Sequence, residues 1–137
     1  SQKQNYDPLE LAQKIIPLSY ISFYTALAHH GVIFQYYETI HSMALVSRQI
    51  EADNHKFAYH KIKSDLFFSD LGIEKKQNYT IASKERAICD SLYLKPHLAF
   101  DNLSNIDDQK ILEISKIYNN QRLEKDIKNL IQIQNAQ

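Results

Sequence analysis

The stretch YISFYTALAHHG, which runs from Tyr20 to Gly31, contains two adjacent histidines, His29 and His30, directly before its final glycine. Histidines beside serine and tyrosine are the residue types from which metal centres and acid–base sites are built. Neighbouring helical residues point about 100° apart, so this pair cannot bind one metal from a regular helix. We therefore expect the histidines to finish a helix, where they suit its negative end and cap its carbonyls.

Other reactive residue types are scattered along the chain. His41 and His60 lie in segments that look like strands, and they approach each other only if those strands pair in a suitable register. No spacing of cysteine, histidine and carboxylate completes a metal set. Cys89 falls inside a helical pattern and suits a buried packing position better than a nucleophile. We expect no cofactor and no enzymatic activity.

The most charged helical turn contains Glu85, Arg86 and Asp90. Arg86 and Asp90 are spaced i, i+4 and can pair on a helix. Two interpretations are equally open, a solvated surface pair and a partly buried lock that fixes the helix to a sheet. A small enzyme centred on His30 would need Arg86 or Asp90 to meet that histidine in a cleft.

A mild positive bias marks one predicted strand pair and offers a contact surface for a partner or a nucleic acid. The basic residues are Arg48, Lys56, Lys61 and Lys63, interleaved with Phe57 and Tyr59. Lysine and aromatic residues on a sheet can bind single-stranded nucleic acid. Lysines also protect edge strands against unwanted pairing, and this second interpretation is favoured.

Composition limits the classes of protein that fit. The chain has 137 residues, of which 44% are hydrophobic, enough for one domain with a core of its own. Sixteen basic and 16 acidic residues cancel, which argues against a dedicated electrostatic nucleic-acid binder. A single cysteine suits a reducing compartment, and no apolar run approaches a membrane span. We expect a cytoplasmic protein without membrane association.

Helices are predicted at both ends of the chain. Asp7 and Pro8 begin the first, and Ser19 is expected to cap a second that ends at Gly31. Apolar residues at helical spacing support that second helix: Tyr20, Phe23, Tyr24 and Leu27. Ser83 should cap a helix over 84–94, and two amphipathic helices follow Asp107 or Asp108. The last two could pack on the core or against a second copy in a homodimer.

The middle of the chain alternates as strands do. TIHSMALVS and HKFAYHKIK predict an antiparallel hairpin whose connecting turn is RQIEADN, VIFQYY predicts an extended segment or short strand, and YTIAS predicts a further short strand. The fold class is therefore α+β, with an N-terminal helix pair, a small antiparallel sheet carrying a packed helix, and a helical C-terminal extension. Residues 1–100 would form the α/β core module and 101–137 the extension, within one continuous domain.

Two stretches in this order resemble a known family. The matching positions in the first stretch are Tyr20, Ile21, Ser22, Ala26, Leu27, His30 and Gly31, and those in the second stretch, IASKERAICDSLYL, are Ala82, Glu85, Arg86, Ala87 and Asp90. They resemble the antitoxin of bacterial AbiE-type (type IV) abortive-infection toxin–antitoxin systems, over roughly residues 7–94. Lys84 stands where many relatives have proline.

The resemblance implies a non-enzymatic antitoxin and transcriptional autorepressor in phage defence, with a nucleotidyltransferase-like toxin as its partner. Members usually place a winged helix-turn-helix domain before this region, and only a short polar segment precedes Asp7. Operator DNA would therefore be bound only through that missing domain. The matched positions are expected to be architectural, with Gly31 turning the chain and Arg86 and Asp90 fixing their helix. The alternatives are nucleic-acid binding through the hairpin and an enzyme centred on His30.

Overall fold

The computed structural model describes residues 6–136. Its helices are α1 (Pro8–Ile15), α2 (Phe23–His29), α3 (Ser64–Phe67), α4 (Lys84–Leu94), α5 (Asp108–Ser115) and α6 (Gln121–Asn135), with a 3₁₀ turn at Lys116–Tyr118. Its strands are β1 (Ser19–Ile21), β2 (Ile40–Ala44), β3 (Arg48–Ala52), β4 (His55–Lys61), β5 (Ile73–Lys75) and β6 (Thr80–Ala82). This confirms the predicted α+β class.

The six strands form one mixed sheet in the order β3-β4-β2-β1-β6-β5. Strand β1 lies in the interior, antiparallel to β2 and parallel to β6. All three residues of β1 are buried, as expected for a strand covered on both faces. The short strand that begins the chain's first motif therefore joins the two halves of the sheet, between β2 and β6.

The predicted antiparallel hairpin is wrong, because β2 and β4 pair in parallel. The segment taken for a polar turn is itself strand β3, which pairs antiparallel with β4 at the sheet edge. The chain reverses at Asp53 and Asn54, whose φ angles of 55° and 64° suit the tight turn that matches strand twist. An edge strand that is exposed on one side has few buried residues, so its sequence resembles that of a loop.

The predicted start of α2 is also wrong. Ser19–Ile21 is extended, and the helix begins at Phe23 with Ser22 as N-cap. A fully buried strand followed by a buried helix produces the same run of apolar residues as one longer helix, so periodicity alone merges them. The segment VIFQYY forms no regular strand; Val32 and Ile33 are buried, whereas Phe34 is 73% exposed.

Other predicted helix ends agree with the structure. Ser83 caps α4 through a bond from the Arg86 amide, and Asp107 caps α5 through the Lys110 amide. At the end of α2, Gly31 adopts φ +73°, and the Val32 amide returns to the Leu27 carbonyl at 2.8 Å. This is the glycine-dependent helix termination expected from the sequence.

Helices cover the two faces of the sheet unequally. On one face the Tyr59 hydroxyl donates to the Ala12 carbonyl of α1, at 2.5 Å. Helices α2 and α4 pack together on the opposite face. Helices α5 and α6 pack against α4 and bury four isoleucine and leucine side chains: Ile111, Ile114, Leu123 and Ile127. The C-terminal helices thus join the core of their own chain. In the described part of the chain, no helix combines the length and apolar character needed to cross a bilayer.

Candidate functional site: a buried polar hub and an open histidine groove

Arg86 and Asp90, one turn apart on α4, form an ion pair with both side chains 0% exposed. The Arg86 Nε atom lies 3.4 Å from Asp90 Oδ1. Two charges withdrawn from water are tolerated only when their remaining donors and acceptors are also satisfied. Of the two interpretations left open by the sequence, the structure shows the buried one.

The Arg86 guanidinium is surrounded by oxygen atoms. It donates to the Tyr20 hydroxyl at 3.0 and 3.3 Å, and to the backbone carbonyls of Leu66, Ser69 and Leu71 at 2.9, 3.2 and 2.8 Å. Burial alone would lower the pKa of Arg86, but the Asp90 carboxylate and the nearby phenols hold it above its usual value. The guanidinium therefore stays charged and holds the loop after α3 in place.

The Asp90 carboxylate accepts three hydroxyl donors. Tyr20 and Ser22 each donate to Oδ2 at 2.8 Å, and Tyr118 donates to Oδ1. Burial, reinforced by the Asp90 charge, raises the pKa of both Tyr20 and Tyr118, so their phenols keep their protons and remain donors. We call these five residues the polar hub: Tyr20, Ser22, Arg86, Asp90 and Tyr118.

A second contact also joins the two motif stretches. The His30 Nε2 atom donates to the Ala82 carbonyl of β6 at 2.8 Å, which ties the end of α2 to the sheet. His29 is exposed, with its ring nearly perpendicular to that of His30. Because Arg86 and Asp90 are sealed from solvent, the cleft required by an enzyme using them with His30 is not formed.

Glu85 and Gly72 complete the packing around α4. The buried Glu85 carboxylate accepts the Asp107 amide at 3.2 Å, which links α4 to the start of α5. A Cβ atom at Gly72 would lie 2.8 Å from Arg86 Cβ and 2.8 Å from Ile114 Cδ1. Only glycine fits this contact, because the same residue also has φ +73°. Leu27, on the inner side of α2, is fully buried.

A groove of about 540 Å³ lies over the part of the sheet formed by β2, β3 and β4. Its lining includes His41, Gln49, Glu51, Lys56 and His60. The His41 Nδ1 and His60 Nε2 atoms are 2.9 Å apart, so one ring donates and the other accepts. From the sequence, these two histidines are expected to approach each other only if their strands pair in a suitable register. The parallel pairing of β2 with β4 provides that register.

The basic residues of the strand pair do not form one surface. Lys56 lines the groove, whereas Lys61 is five residues along the same strand and points to the opposite face. Arg48 pairs with Tyr59 in register and shares that opposite face, and Lys63 lies beyond the strand. Phe57 and Tyr59 are 1% and 2% exposed, so neither ring can stack on a base.

No protein-family model matches the sequence, and no curated protein matches it either.

Sequence reasoning missed one member of the polar hub. Tyr118 lies in the 3₁₀ turn after α5, in a stretch that reads simply as an amphipathic helix. Its signal is weak, a tyrosine within an apolar stripe otherwise made of isoleucine. The backbone carbonyls that accept hydrogen bonds from Arg86 cannot be recognised from residue types. Only the folded backbone shows which carbonyls they are.

Proposed function

We propose that this chain is a non-enzymatic antitoxin module of an abortive-infection toxin–antitoxin system. It would neutralise a nucleotidyltransferase-like toxin and support transcriptional autoregulation in the bacterial cytoplasm. The observation that carries the proposal is the polar hub, in which the two stretches behind the family resemblance meet. Tyr20 and Ser22 come from the first stretch, and Arg86 and Asp90 come from the second.

The polar hub supplies a physical reason for the order and spacing of those motifs. Tyr20, Ser22, Arg86 and Asp90 satisfy one another's buried polar atoms, so loss of one leaves an unpaired group in the core. Such mutual dependence among buried side chains is typical of residues with an architectural role. This supports the resemblance and the assignment of the motif residues to structural roles.

Binding to nucleic acid through the strand pair is the less favoured alternative. The formal net charge is zero, the basic residues are divided between two faces, and the interleaved aromatic rings are buried. Single-strand binders combine a continuous basic track with accessible aromatic rings. We accordingly propose that operator DNA is contacted through a separate winged helix-turn-helix domain and not through residues 6–136.

Co-expression with a cognate nucleotidyltransferase-like toxin tests the proposal. Growth inhibited by the toxin should recover when the chain is induced, and recovery should increase with its dose. Affinity capture of the toxin from the same cells then distinguishes direct contact from action on the toxin's target. A second measurement, the affinity of the chain for DNA and RNA at low salt, should show no salt-dependent binding.

Matched variants separate fold from function. Asp90→Asn disrupts the polar hub and should abolish rescue through loss of folded protein, whereas Asp126→Asn changes a surface pair of the same spacing and should rescue fully. Failure of the wild-type chain to rescue growth, both alone and fused to a winged helix-turn-helix domain of the proposed family, would refute the antitoxin assignment.

A further inference from the structure

The polar hub does not include the pair formed by His41 and His60, whose geometry is unusual. The two ring planes differ by only 13°, and the ring centroids are 5.2 Å apart. The 2.9 Å between Nδ1 and Nε2, together with the radii of both rings, accounts for that whole separation. The imidazoles therefore lie end to end, with the facing nitrogen atoms directed at one another.

The surroundings keep both rings ready to act as ligands. Burial first, and the neighbouring His60 second, lower the pKa of His41 to about 4, and burial also lowers the pKa of His60. Both rings are therefore uncharged at neutral pH, which is the form of histidine that binds metals. The Phe23 ring meets both imidazoles edge-on, with centroids 5.3 and 5.1 Å away, and limits their rotation on that side.

The backbone beside this pair is strained. Phe23 has φ 55°, which is unfavourable for a large side chain and persists only where surrounding contacts enforce it. The preceding Ser22 is held by Asp90, and the amide of Ser22 donates to the His41 carbonyl at 3.1 Å. The polar hub and the histidine pair thus hold Phe23 between them, next to the open groove.

We propose that His41 and His60 form a two-coordinate site for a monovalent d¹⁰ ion of the Cu(I) and Ag(I) class, bound linearly between Nδ1 and Nε2. Within residues 6–136, no three side chains of the histidine, cysteine and carboxylate types come together as ligands. Two facing imidazoles satisfy an ion that prefers two ligands in a line.

The required movement is small. Metal–imidazole bonds of about 2 Å each place the nitrogen atoms about 4 Å apart, which is about 1 Å more than the hydrogen-bonded separation. The rings line an open groove and are only partly buried, so side-chain rotation can supply this change. Protons balance without any release. The proton shared between the rings moves to the outer nitrogen of its own ring, and the other ring already carries its proton there.

Calorimetric titration of Ag(I) into the folded chain tests the site, in chloride-free solution at neutral pH and in two buffers with different protonation enthalpies. The wild-type chain should bind one equivalent with the same heat in both buffers, because no proton is released. Binding by the Cys89 thiol would instead displace a proton and give buffer-dependent heat. Cys89 is buried, so Cys89→Ala should bind as the wild type does.

His41→Ala and His60→Ala should each weaken binding by at least about tenfold, as loss of a ligand exceeds the effect of an outer-shell change. His55→Ala on the same strand is the matched control and should bind normally. Thermal unfolding confirms that every variant is folded before titration. The site is refuted by an absence of binding, by buffer-dependent heat, by unchanged affinity in His60→Ala, or by equally tight Zn(II) binding that needs the same two histidines. None of these outcomes bears on growth rescue.

Discussion

Tyr20 and Tyr118 donate hydrogen bonds to opposite oxygen atoms of one carboxylate, that of Asp90. One tyrosine belongs to the interior strand β1 and the other to the turn after α5. A single buried charge thereby connects the sheet, helix α4 and the C-terminal helices. The stability of all three should consequently depend on this side chain.

Asp90→Asn should destabilise the chain by about 3–5 kcal/mol, because it leaves the Arg86 charge buried without its partner. Asp126→Asn is a matched control, since Arg122 and Asp126 have the same i, i+4 spacing but are 38% and 28% exposed. It should cost less than about 1 kcal/mol. Urea unfolding measures both, and equal losses would contradict the assignment of the polar hub as a stabilising centre.

Tyr118→Phe removes one donor to a buried carboxylate while keeping the ring. We expect a loss of about 1.5–3 kcal/mol, the usual range for hydrogen bonds to charged groups. Tyr93→Phe is the comparison, because its ring lies 5.2 Å from that of Tyr118 and it is only partly buried. Chemical denaturation should show less than about 0.5 kcal/mol for that control. If Tyr118→Phe unfolds with the wild-type midpoint, the C-terminal helices are not coupled to the polar hub.

The two glycines should respond differently to alanine, although both have φ +73°. Gly31→Ala meets nothing within 4 Å and should cost only the backbone strain, about 1–2 kcal/mol. Gly72→Ala adds overlap with Arg86 Cβ and Ile114 Cδ1, which should raise the loss by about 1–3 kcal/mol. Thermal or urea unfolding of the two variants side by side decides the matter, and a smaller loss at Gly72 would be the contrary result.

Acid should destabilise the chain through the histidine pair. An unfolded His41 takes up a proton near its ordinary pKa of 6.5, whereas the folded one does so only near 4. The unfolded state therefore binds more protons between these values, and stability should fall as the pH drops from about 6.5 to 4. The charged groups beside the pair in the groove are Glu51 and Lys56.

His41→Gln should flatten this part of the stability–pH curve, while His29→Gln serves as an exposed control. The pKa of His29 is also lowered, by burial first and then by the charge of His30. We therefore expect His29 to contribute a smaller part of the dependence of stability on pH. Urea midpoints measured in steps between neutral and acidic pH give the comparison. A curve for His41→Gln that parallels the wild type would show that this histidine is not responsible.

Local rules predicted much of the fold. The caps Asp7, Ser83 and Asp107 and the terminating Gly31 act through neighbours within a few residues, so their effects are legible in the sequence. The α+β class follows from the same signals. The direction of β4 relative to β2 depends instead on whether residues 48–52 form a strand or a turn. The partial exposure of these residues does not distinguish the two possibilities.

The candidate sites were less predictable because burial is a property of the assembled chain. The pair of Arg86 and Asp90 has the same spacing as that of Arg122 and Asp126, yet only the first is sealed from water. The difference arises from Tyr118, the neighbouring carbonyl groups and the packing of α5. The contact between His41 and His60 similarly required the register of parallel strands, which no local pattern specifies.

The parallel pairing of β1 with β6 limits how early the chain can fold during its synthesis. A ribosome delivers β1 early, but its neighbour β6 and the Asp90 carboxylate emerge much later, and Tyr118 later still. Contacts between residues so distant in sequence slow folding, because the long intervening chain loses conformational entropy before the contacts can stabilise the fold. A nascent chain therefore leaves one side of β1 unpaired until β6 has emerged, and an unpaired strand edge is prone to aggregation throughout that interval.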